Sequence, residues 1–114
     1  MLKLATVVLL AFISSPGAAQ EPQGQIAGIG AMSCQDAIKL IDTTAFKTQL
    51  FIWAAGFLSG ANSGMLEGNL PTRTLRSVTV DTAAADTYAY CARHADEHIV
   101  DAIKQIYIDL PRAP

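Results

Sequence analysis

A chain of 114 residues is one small domain by size, and 16% charged residues with a net charge of −2 and no basic cluster argue against a nucleic-acid surface. No phosphate loop, CxxC pair or carboxylate dyad occurs in it. These absences make the chain a poor candidate for an enzyme or for a cofactor- or metal-dependent protein.

Residues 1–19 read as an export signal. Lys3 supplies the positive charge, and Leu4 to Ile13 form a mostly apolar run. Ser14-Ser15-Pro16 breaks that run, and Gly17-Ala18-Ala19 offers small residues for cleavage before Gln20. The competing reading is a membrane anchor, but about ten apolar residues fall short of the roughly twenty that span a bilayer. The mature chain is therefore expected to be exported and soluble, with no membrane contact after cleavage. Losing Lys3 with the signal takes the net charge from −2 to −3.

Residues 20–31 hold Pro22, three glycines and no apolar periodicity, and read as a flexible leader. Order is expected from about residue 32 to the end of the chain. Ser33 followed by Asp36 fits a helix-capping pattern. The first helix, about 34–41, then places Cys34, Ala37, Ile38 and Ile41 on one side.

A second helix is expected from about Thr44 to Asn62. Leu50, Trp53, Phe57 and Ala61 trace one buried face, and Phe51, Ala54 and Leu58 widen it. Ala54, Ala55, Gly56, Gly60 and Ala61 would admit a close backbone neighbour, and Gly60, Asn62 and Gly64 would end the helix. Residues 63–78 form a connector punctuated by Gly68, Asn69 and Pro71. Thr79 or Asp81 caps a third helix near 82–93, with Ala83, Tyr88 and Cys91 inward. A fourth helix, about Asp96 to Asp109, carries Ile99, Ile103, Ile106 and Leu110 at core spacing, and Pro111 stops it. No strand alternation persists. The fold class is all-α: a small single-domain bundle of four to five short helices.

Two cysteines in an exported chain point to a disulfide, Cys34–Cys91, because oxidising compartments let the bond persist. The bridge would tie the start of the first helix to the end of the third, with the fourth packed across it. A domain this small gains from such a staple.

Other constellations are weaker. His94 and His98 stand at i, i+4, a spacing that can put two imidazoles on one helix face to grip a metal. The residues between them depart from HExxH and no third ligand is evident, so a helix-end histidine and a surface histidine is the plainer reading. Ser59 in Gly56-Phe57-Leu58-Ser59-Gly60 is not a G-x-S-x-G elbow and follows no strand, and reads as a packing patch.

Several short motifs resemble one family. Met32-Ser33-Cys34-Gln35-Asp36 resembles the opening of the HdeA/HdeB family of periplasmic acid-stress chaperones. Phe51-Ile52-Trp53-Ala54-Ala55-Gly56-Phe57 is similar to its aromatic-rich second helix. Tyr90-Cys91-Ala92-Arg93-His94, before a terminal helix ending Asp109-Leu110-Pro111, extends the likeness. It covers about residues 32–111. What the resemblance implies is an ATP-independent holdase, folded and often dimeric near neutral pH, that loosens in acid and binds denaturing periplasmic proteins. Leu50, Phe51, Trp53, Phe57 and Leu58 become candidates for its client or dimer surface.

Composition permits such a switch. Protonating all carboxylates and both histidines leaves seven basic residues and two imidazolium ions without counter-charge, and self-repulsion then opposes compaction. Histidine titrates first and carboxylates near pH 4, in round figures. The candidate pH-sensing groups are Asp36, Asp81, Asp96, Glu97, Asp101, His94 and His98. The alternative function is a neutral-pH binding module of the envelope, for example an immunity-type protein against a secreted toxin.

Overall fold

One 3-10 turn and four α-helices make up the computed structural model, which describes residues 25–114. The 3-10 turn is Gly28–Ala31, α1 is Cys34–Leu40, α2 is Thr44–Glu67, α3 is Val80–Arg93 and α4 is Ile99–Asp109. Among the described residues there is no strand, only isolated bridges between Ser33 and His98 and between Arg73 and Arg112. The architecture is an all-α bundle stapled by Cys34–Cys91. The expected signal, residues 1–19, and the start of the leader lie outside the described residues.

Each helix begins where a side chain satisfies its first free amides. Ser33 Oγ accepts the Asp36 N–H at 3.2 Å, and Thr43 Oγ1 accepts that of Phe46 at 3.4 Å. At α3 the cap is Thr79, which exchanges hydrogen bonds with Thr82 in a capping box. Helix α4 starts at Ile99, later than the expected Asp96, because Asp101 Oδ2 accepts the His98 N–H at 3.0 Å and fixes the start there. Asp96 and Glu97 therefore lie in the preceding turn.

Helix α2 runs past its expected end at Asn62 to Glu67. Gly60 and Gly64 weaken it by roughly 1 kcal/mol each, yet tertiary bonds hold the segment helical. The Asn62 amide grips the Arg73 backbone through two bonds of 2.9 Å, and its Oδ1 also accepts the Tyr107 hydroxyl. The true stop is a Schellman turn. Asn69 takes φ 53°, the Leu70 N–H returns to Met65 O at 2.8 Å, and the Asn69 N–H returns to Leu66 O at 3.1 Å.

The second half of the supposed leader is built into the fold. Trp53 Nε1–H donates to Ala27 O at 3.0 Å, and its ring lies against Gly30. A Cβ on Gly30 would sit 2.1 Å from Trp53 Cζ2. Glycine at 30 is thus a contact requirement, where composition alone suggests flexibility. Gly30→Ala is expected to push the indole off this segment and destabilise the domain by about 1–3 kcal/mol. A red shift in emission from Trp53, the single tryptophan, reports it.

The core joins Phe46, Leu50, Ala54 and Leu58 of α2 to Ile99, Ile103 and Ile106 of α4, with Ala37, Ile41 and Ala84 completing it. The bridge sits at one side of this core. Both cysteines are fully buried, Ala102 of α4 packs on them, and Ile38 and Tyr90 flank them. Helix α3 buries Ala83, Ala84, Thr87 and Cys91, so Tyr88, expected inward, turns to solvent one step round from Thr87. The small α3 face allows close approach, at the cost of one orphan: Thr87 Oγ1 has no hydrogen-bond partner among the described residues. Thr87→Val removes that hydroxyl at nearly constant shape. It is expected to raise stability by about 1 kcal/mol, read as a melting temperature several degrees higher.

Candidate interaction surface

The spacing of apolar residues decides which side of α2 faces the core. Phe46, Leu50, Ala54 and Leu58 are four apart, and this stripe is the buried one. Leu50 and Leu58 are wholly enclosed, so in the folded bundle they are core and offer no open surface. Phe51, Trp53 and Phe57 are half-buried along the flanks. Trp53 and Phe57 stack with ring centroids 5.3 Å apart, and both pack against the core.

The opposite side of α2 is open. Ile52 is 65% exposed and Leu66 67%, with Gly56, Ser59, Gly60, Ser63 and Gly64 between them. Beyond the helix's own backbone and the adjacent residues, no described atom comes within 4 Å of a Cβ built on Gly56, Gly60 or Gly64, so among the described residues the expected close neighbour is not found. From Thr48 to Leu66 the helix carries no charged residue, and Lys47 and Glu67 bracket this neutral stretch. A solvated helix face usually bears charge. Ser59 lies here in mid-helix, away from any strand-to-helix turn.

Five of the seven candidate pH-sensing residues gather at the α3–α4 junction. His94 ends α3 and stacks on Tyr90 with centroids 4.3 Å apart, its Nδ1 3.6 Å from Glu97 Oε2. The Tyr90 hydroxyl donates to the same Glu97 oxygen. His98 Nδ1 lies 3.8 Å from Asp101 Oδ2, and Asp96 stands in the turn between the histidines. The Glu97 acceptor, then burial, then the charges of Glu97, Asp101 and Asp96 push the Tyr90 phenol up to about 12. Tyr90 is the hub that spacing alone did not reveal. Asp36, 3.8 Å from Lys39, and Asp81 stand apart in the first turns of α1 and α3.

This geometry removes the premise of a two-histidine metal grip. Residues 94–98 are not helical, and each imidazole faces its own carboxylate from a different helix end. Among the described residues no group of three or more His, Cys, Asp or Glu side chains is placed to hold a metal ion. No described helix is long and apolar enough to cross a membrane.

Compared with protein-family models, curated proteins and solved structures, the chain matches none. The reading of its function therefore rests on the surface and on the junction.

Proposed function

We propose that this chain is an exported, ATP-independent holdase of the HdeA/HdeB type, which binds denaturing periplasmic proteins in acid and pairs with a second copy near neutral pH. The observation that carries this reading is the neutral, open face of α2, Ile52 to Leu66, on a bundle whose buried disulfide is insensitive to acid. A non-directional apolar surface suits unrelated unfolded chains, because the hydrophobic effect asks only for buried area. In acid the surplus positive charge opposes compaction and enlarges that surface. The test is light scattering from an aggregating client at about pH 2–3, with and without a several-fold molar excess of the mature protein. Scattering is expected to fall, and unchanged scattering removes the reading.

The same open face favours one second reading, a neutral-pH binding module such as an immunity-type protein, because Ile52 and Leu66 are accessible without any loosening. Capture of one stoichiometric partner from envelope extract at neutral pH, with no suppression of aggregation in acid, would select it.

A further inference from the structure

The Cys34–Cys91 bridge joins positions 57 residues apart and encloses α1, α2 and most of α3. Helix α4 lies outside that covalent loop. When packing loosens, the bridge keeps α1–α3 near one another but places no such limit on α4. The bonds holding α4 are few. At its start, Ile99 N–H donates to Met32 O at 2.9 Å and Cys34 N–H to Glu97 O at 2.7 Å. Along it, the Tyr107 hydroxyl reaches Asn62 Oδ1 at 2.9 Å. Beyond its end, Arg73 Nη1 donates to Leu110 O, and backbone bonds tie Thr74 to Pro111 and Ala113 to Thr72. The rest is burial of Ile99, Val100, Ile103 and Ile106, and of Ala102 against the bridge.

The start of α4 carries charge that acid unbalances. At the junction, Glu97 faces Tyr90 and His94 from α3, and Asp101 of α4 faces His98. Asp96 lies in the turn, Arg93 at the end of α3 and Lys104 on α4, Asp86 of α3 lines the α3–α4 groove with Arg93 and Asp109, and the Asp36–Lys39 pair of α1 stands apart. The 3-10 turn brings none. Protonated histidines beside ionised Glu97 and Asp101 tighten this junction. Removing those anions at lower pH leaves a junction whose remaining charges are all positive. At the far end Arg73 and Arg112 are bridge partners, a like-charged pair, with Asp109 the nearest acid in sequence.

We propose that α4 is the detachable element of this fold. In acid it swings away about residues 94–98 while the bridge retains α1–α3. The client surface is then the Ile99–Ile103–Ile106 stripe together with the part of the α2 stripe that α3 does not cover. This rests on the holdase reading and names the regulated surface within it.

Amide hydrogen exchange on the mature chain, corrected for intrinsic rates, tests the device. Between neutral pH and pH 3, protection in α4 is expected to fall at least tenfold further than in α1 and α3, in order of magnitude. Equal loss in all four helices overturns the proposal. A clamp tests its consequence. In R73C/R112C, a disulfide across the antiparallel bridge, where Cα separations of about 4.5–5.5 Å are usual, ties the tail to the covalent loop. The oxidised clamp is expected to suppress client aggregation several-fold less than R73S/R112S does. Suppression equal to that control overturns the proposal and leaves the holdase reading standing. Selective exchange of α4 with no suppression by the wild type supports the device and removes the holdase.

Discussion

Replacing both bridge cysteines, C34A/C91A, is expected to lower the unfolding free energy by about 4 kcal/mol. Closing a loop whose ends are 57 residues apart removes that much entropy from the unfolded chain, in the chain-entropy account. Small domains hold only about 5–15 kcal/mol in total, so the loss is a large share. At roughly 4–8 °C per kcal/mol, the melting temperature drops by about 15–30 °C. Alanine is preferred to serine because both positions are fully buried, and two hydroxyls there would add a desolvation cost of their own. Urea unfolding followed by far-ultraviolet circular dichroism measures the difference. An unchanged midpoint would show that the bridge does not carry this fold. The same burial predicts that a thiol reductant acts on the native protein slowly, at a rate set by opening of the fold.

Legibility in the sequence followed how many partners each feature needs. The bridge, the Ser33 cap and the Ile99–Ile103–Ile106–Leu110 stripe are local or pairwise patterns, and all three appear in the structure. The rotation of α2 is different. With Phe46, Leu50, Phe51, Ile52, Trp53, Phe57 and Leu58 all apolar, several faces satisfy a helical period. What selects one is the neighbours: α3 and α4 together cover the side of Leu50 and Leu58, and the 3-10 turn claims Trp53. The start of α4 was obscured for a related reason. Asp96, Glu97 and Asp101 all suit a first turn, and the pairing of Met32–Cys34 with residues 97–99 together with the Asp101–His98 bond chooses among them. Five of the pH-sensing candidates were placed together by chain proximity, yet their hub, Tyr90, became visible only once the turn folded back onto it.

The rotation of α2 leads to a paired prediction with opposite consequences for two residues two positions apart. Leu50→Ala is expected to cost about 2–5 kcal/mol, because the side chain is wholly enclosed and its removal leaves a cavity in the core. Ile52→Ala is expected to change stability by less than about 0.5 kcal/mol, since that side chain is already 65% in water. Binding should reverse the order. Ile52→Asp sets a charge in the middle of the neutral face, and is expected to weaken partner or client retention several-fold in either functional reading. Urea midpoints and the scattering assay, run on the same three variants, separate the two effects. Equal stability losses for Leu50→Ala and Ile52→Ala would contradict the observed rotation. A stable Ile52→Asp variant that retains partners like the wild type would instead place recognition elsewhere, and the surface uncovered by α4 is where the covalent topology directs the search.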